Sequence, residues 1–389
     1  MKKTFPIFLA FLCMGFGDAV ATFVGKAKNT FELSNLEAQL VSFAGFLMYG
    51  LLSVPMGILQ EKISKRRTLL LGLGLALAGV LAVLALGVKS YAVFLAAVLL
   101  FGAGAAVLQV AGNPIMRDVS AEGEYASNLS LGQFIKAIGS NTAPVVFFVL
   151  ALLAGPDAAQ DEPRKAFEWN LVFGIFAAGI AFTMAAVGML KVKEARGEGA
   201  ASIVSCLSLL GNRYVAAMVL GIFLYVGAEV CASSGMPIFF TEKFGVSSDL
   251  ATQYVTYFFL AIMAARLLGA FILRAIKPAT FLTASAVVAL CGLAMLLSGD
   301  KIVCTAALFV IAAGYANVFP LIFSMAIDRM PEKSNELSGL MITAIVGGAF
   351  LPPLMGLAAD LGGEMFGFVV PAAAMAYVLM LSFKAGAAK

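Results

Sequence analysis

Lys136 stands near the middle of an apolar stretch, residues 125–154. Asp18, Glu229 and Arg266 lie in similar surroundings. At the centre of a bilayer such a side chain costs about 2.5–3.5 kcal/mol to insert, so it turns inward, finds a partner or marks a pathway. Two acids and two bases balance. An Asp18–Lys136 pair would offset much of the desolvation cost. It could also couple transport to a cation: cation entry at Asp18 releases Lys136, or deprotonation of Lys136 releases Asp18. The alternative is a permanent strut. Glu229 has Tyr225 and Ser233 four residues to either side, on one helical face. Arg266 is its expected partner, and Glu229 is the second candidate for cation coupling.

Amides sit beside these charges. Gln109 and Asn113 share one helix face, Gln133 joins Lys136 on another, and Asn317 follows in the second half. Amides both donate and accept, which suits a hydroxyl-rich solute. With Tyr225 and Lys136 they form the candidate substrate site. Phe223 and Phe319 could stack on the apolar face of such a solute, although most of the 32 Phe must simply pack.

The elements that position these residues are membrane helices. Apolar residues make up 61% of the chain and charged ones 12%, about half the charge of a soluble domain. With ~20 apolar residues per crossing, segments are expected near 5–25, 37–60, 68–88, 91–116, 125–154, 168–190, 213–240, 250–275, 279–298, 302–327, 335–359 and 365–384. The N-terminal run resembles a secretory signal, but continues past Ala21 and is read as the first crossing. Of the 26 Lys and Arg, 17 lie at the termini and even-numbered connections and 7 in odd-numbered ones. Both termini are therefore expected to be cytoplasmic. Leu129, Ser130, Gly139 and Pro144 recur 208 residues later as Leu337, Ser338, Gly347 and Pro352, a weak internal repeat.

Several classes are excluded. There is no histidine, no P-loop and no close cysteine pair, so no cofactor or metal is expected. No basic tail points to nucleic acid; membrane lipid is the expected partner by composition, and the expected state is a monomer.

"GILQEKISKRR" (Gly57–Arg67) resembles the loop 2–3 signature of the major facilitator superfamily. Gly57, Glu61, Lys62, Arg66 and Arg67 match; Ser64 stands where the pattern has Gly, and Glu61 where it has Asp. The resemblance implies a conformational clasp formed by these five. "LQVAGNP", "LSLGQFIKAIG", "YVGAEV", "MAARLLGAFILRAIKP", "NVFPLIFSMAI" and "AIVGGAFLPPLMGLAAD" resemble the fucose:proton symporter family, including its bacterial glucose/galactose members. That family carries hexoses and 6-deoxyhexoses with H+ or, in some members, Na+. Its fucose symporters have an acid where Gln109 stands, which alters the proton site.

The expected protein is thus an all-α membrane protein of the major facilitator fold, 12 transmembrane helices in two six-helix halves with pseudo-two-fold symmetry. The halves are 1–190 and 213–389, joined by a cytoplasmic linker, 191–212. The expected function is sugar:cation symport by alternating access in a bacterial inner membrane. A drug or metabolite exporter and a non-transporting sensor are the alternatives. A membrane enzyme finds no nucleophile or metal constellation.

Overall fold

The computed structural model describes residues 4–18, 23, 27, 30–33, 35–87, 90–154, 162–192, 202–246 and 248–387; at some helical positions, Asp18 among them, only the backbone is described. The first half holds α1 (Phe5–Asp18), α2 (Asn35–Ile63), α3 (Lys65–Leu86), α4 (Tyr91–Val119), α5 (Tyr125–Ser140), α6 (Thr142–Ala154) and α7 (Glu162–Gly188). After the short α8 (Ile203–Ser208) come α9 (Arg213–Phe244), α10 (Ser248–Ile272), α11 (Pro278–Met295), α12 (Lys301–Tyr315), α13 (Val318–Arg329), α14 (Ser334–Thr343), α15 (Gly347–Gly362), α16 (Glu364–Gly367) and α17 (Val369–Ala387). Among the described residues, nine helical runs are long and apolar enough to cross a membrane, and Phe5–Gly17 is a shorter apolar helix. The predicted segments 5–25 and 37–60 contain positions that are not fully described, and 125–154 is divided between α5 and α6.

Helix ends follow local chemistry. Asp300 caps α12, its Oδ1 accepting from the amides of Ile302 at 2.9 Å and Val303 at 3.0 Å. Asn212 caps α9 in the same way, accepting from Tyr214 N at 2.9 Å. Side-chain acceptors here satisfy amides that the first turn leaves open.

Proline explains two of the interruptions within predicted crossings. Its ring clashes with the carbonyl four residues back and it lacks an N–H to offer that carbonyl. The chain breaks between α5 and α6 at Asn141, just after Ser140, the residue four before Pro144. It breaks between α12 and α13 at Ala316–Asn317, four residues before Pro320. Pro114 lies inside α4 without breaking it, and the carbonyl it frees, Val110, accepts from Ser338 Oγ at 2.7 Å. Away from water each freed carbonyl needs such a donor.

The chain forms two compact units. One comprises Met1–Ser120, Ile135–Ile203 and Ser334–Ile342; the other comprises Ala121–Phe134, Val204–Lys333 and Thr343–Lys389. The first is centred on Trp169, fully buried, with Phe94 at 5.2 Å and Phe23 at 5.3 Å between ring centroids. In the second, Phe239 packs edge-on against Phe240 and Phe368, each at 5.6 Å. The repeat noted above has a packing role in both. A Cβ on Gly139 would strike the carbonyl of Leu12 on α1, and one on Gly347 the carbonyl of Phe223 on α9. Each matched glycine is the point where two helix backbones meet.

Candidate functional site

The loop 2–3 signature builds a compact ionic cluster in the first unit. Gly57 lies against Asn335 and Gly339, where a Cβ would come within 3.1 Å of the Gly339 Cα. Glu61 accepts from Asn335 Nδ2, and Gln60 Nε2 donates to the Asn335 carbonyl at 3.3 Å. Arg66 donates through Nε to Val187 O at 3.0 Å and through a terminal nitrogen to Gly188 O. It thereby places a cation on the carbonyls at the end of α7, where the helix dipole favours one. Lys65 is fully buried and its Nζ lies 2.7 Å from Asp118 Oδ2. Neither Lys65, which reads as one more loop cation, nor Asp118 is marked by the signature; a basic residue beside the membrane end of one helix and an acid at the end of another is the only signal the sequence holds.

Ser64 begins α3 with φ 94° and ψ 148°. A side chain at positive φ costs about 1–3 kcal/mol, which is why the pattern has Gly here. Its Oγ offsets part of this by accepting from Arg67 N at 3.3 Å. Replacing a serine cap by glycine costs only a few tenths of a kcal/mol. Ser64→Gly is therefore expected to stabilise the folded protein by about 1 kcal/mol. A thermal midpoint that falls in the variant would show the cap to outweigh the backbone strain.

The candidate site residues lie on α4, on α5 and in a polar cluster of the second unit. On α4, Gln109 and Asn113 are both buried, one turn apart as expected. Gln109 Nε2 donates to Tyr49 Oη at 2.9 Å. Tyr49 comes from α2, and nothing in its apolar surroundings marks it in advance. On α5, Gln133 is buried and Lys136 half-buried. The backbones of α1 and α5 meet beside Lys136, where Gly15 abuts its carbonyl. Asp18 ends α1, and its side chain lies outside the described residues, as does the predicted pair with Lys136.

The polar cluster joins α9, α10 and the break after α12. Tyr225 Oη donates to Glu229 Oε2 at 2.9 Å. Arg266 Nη2 lies 3.5 Å from Glu229 Oε1, an ion pair of which each side chain keeps some exposure, 14% and 17%. Arg266 Nε also donates to Ala316 O at 3.1 Å, and Asn317 Nδ2 to Ala265 O at 2.9 Å. Ser233 turns back to its own helix, donating to Val230 O at 3.0 Å. Phe223 is half-buried, 6.1 Å from the Phe350 ring, and Phe319 is buried 5.6 Å from Phe323. Among the described residues no group of three or more His, Cys, Asp or Glu is placed to hold a metal ion.

Buried amides, hydroxyls and one ion pair inside apolar helices can bind a polyhydroxylated solute and move a proton. Comparison with known proteins agrees with a transport role. The glucose/galactose transporter of Brucella abortus biovar 1 (strain 9-941) is 31% identical over 357 residues, covering 90% of this chain and 86% of the relative. The L-fucose-proton symporter of Escherichia coli (strain K12) is 26% identical over 364 residues, covering 87% and 82%. The crystal structure of the transporter FucP in its outward conformation superimposes with a TM-score of 0.85 at 24% identity, covering 99% of each chain. These matches bear out the helical fold and the family read from the loop signature. Residues 7–353 match the profile of the Major Facilitator Superfamily, and the chain belongs to that family of multi-pass membrane transporters.

Proposed function

We propose that this transporter carries a hexose or 6-deoxyhexose by symport with a proton. The observation that carries the reading is the buried amide face of α4, with Gln109 3% and Asn113 0% exposed inside a membrane-spanning helix. Lipid packing has no use for two buried amides one turn apart, whereas sugar hydroxyls need both donors and acceptors. The printed names of the relatives, glucose/galactose transporter and L-fucose-proton symporter, support the same solute class. The latter also favours H+ over Na+.

In this reading Gln109, Asn113, Gln133, Lys136, Tyr225 and Asn317 bind the sugar. Asp18, Lys136 and Glu229 serve the coupling ion, and Gly57, Glu61, Lys62, Arg66 and Arg67 form the clasp. The halves 1–190 and 213–389, joined by 191–212, exchange access in a bacterial inner membrane with both termini cytoplasmic.

The test is uptake of labelled glucose, galactose and fucose into proteoliposomes, with and without an imposed ΔpH or ΔNa+. Accumulation driven by ΔpH supports the proposal, and accumulation driven only by ΔNa+ changes the ion. Binding without flux indicates a sensor. Gln109→Ala and Asn113→Ala are expected to weaken sugar binding about tenfold each, a lost hydrogen bond to a buried ligand, in protein that still folds. Unchanged affinity in both would remove α4 from the site.

A further inference from the structure

We infer that Arg266 transmits the protonation state of Glu229 to the break in the tenth predicted crossing, and is the positioning residue of coupling; this rests on the proposed proton symport. The argument begins at Pro320. In a continuous helix the carbonyl of Ala316 would accept from the amide of residue 320, which as proline has none. The carbonyl left over lies near the middle of the helical run Lys301–Arg329. Arg266 Nε supplies the missing donor at 3.1 Å. The other end of the same guanidinium faces Glu229 Oε1 at 3.5 Å. One rigid planar group thus ties a titratable carboxylate to a helix break. Arginine can do this because its donors are spread around a fork, whereas lysine offers a single nitrogen.

A second strap follows the same path. Asn317 Nδ2 donates to Ala265 O at 2.9 Å, the residue next to Arg266. Gly269, one turn along α10, leaves the space that the Asn317 amide fills, since a Cβ there would come within 2.5 Å of its Cγ. The opposite end of that amide, Oδ1, is buried with no partner among the described residues. The break is therefore held by few bonds, and Arg266 supplies the one that depends on charge.

Among the described residues the titratable groups around Glu229 are Tyr225 on its own helix, Arg266 on α10 and Tyr315 on α12, the last with its ring 6.1 Å from that of Tyr225. Arg266 is the one that carries a positive charge. Protonating Glu229 removes its counter-charge, and a lone guanidinium in an apolar surround moves toward water or another acceptor. The Ala316 carbonyl then loses its donor, and the break loosens. A proton gained at α9 becomes freedom of α12 against α13.

Hydrogen exchange measured by mass spectrometry on the full chain in nanodiscs tests this without any sugar. At pH 7, Glu229→Gln and Arg266→Lys are each expected to speed exchange in peptides covering 312–321 about tenfold, the loss of one charge-assisted hydrogen bond. The double variant should exchange no faster than either single one. Exchange in α3 serves as the folding control. In a Pro320→Ala background, where an amide can again bond the Ala316 carbonyl, Glu229→Gln should leave the same peptides unchanged. Glu229→Gln at the wild-type rate while Arg266→Lys loosens, or equal loosening by Glu229→Gln with and without Pro320→Ala, would make Arg266 a plain strut. The expected exchange pattern in a protein that accumulates no sugar would overturn the proposed function and leave the linkage intact.

Discussion

Lys65→Met is expected to destabilise the protein by about 3–5 kcal/mol, the cost of stranding one member of a buried ion pair. The two side chains are 1% and 3% exposed, so water cannot take over the role of the missing ammonium at Asp118. Removing both charges is a different matter. A neutral, well-packed replacement of a buried pair is often close to break-even. Lys65→Met/Asp118→Asn should therefore recover most of the loss. Unfolding midpoints of the four proteins form a double-mutant cycle. Additive losses would show that the 2.7 Å contact carries no coupling energy. A loss below about 1 kcal/mol in the single variant would place the pair among weak, solvated ones.

Gly139→Val and Gly347→Val are each expected to lose about 3 kcal/mol or more, the upper end for overpacking. The obstacle decides the size. At both positions the added carbon meets backbone, the carbonyl of Leu12 in one case and of Phe223 in the other. A side chain could swing aside, but a helix backbone moves only with the whole helix. Gly74→Val and Gly174→Val are the controls, because a Cβ at either meets nothing within 4 Å. Folded yield and thermal midpoint of the four variants decide it. Equal losses at all four would mean that valine itself, rather than the helix crossing, is the cause.

Much of the architecture is legible in the sequence because membrane helices are written in long apolar runs. The internal breaks are less so. Pro144 and Pro320 lie inside predicted crossings and interrupt them, while Pro114 bends no assignment at all. At Pro114 and Pro320 alike a side chain from far along the chain reaches the freed carbonyl, Ser338 in one case and Arg266 in the other, and neither donor can be read locally. The same limit applies to the polar clusters. Tyr225, Glu229 and Arg266 are readable because a helical period and a charge balance bring them together. Tyr49 beside Gln109, and Asn335 beside Glu61, have no such local signature. Lys65 shows the limit most clearly: charge alone assigns it to a solvated loop, and burial assigns it to the core.

The nine residues Ser334–Ile342 belong to the unit built mainly from the first 203 residues. Synthesis runs from the N-terminus, and early regions usually begin folding first. Here the early helices are finished long before their last piece leaves the ribosome. During that interval Gly57 faces no Gly339, Glu61 has no Asn335, and the Val110 carbonyl freed by Pro114 lacks the hydroxyl of Ser338. Whatever holds the nascent chain in the bilayer must satisfy that carbonyl in the meantime. A fragment ending at residue 203 would keep this vacancy permanently, and adding the peptide 334–342 in trans is the means of closing it.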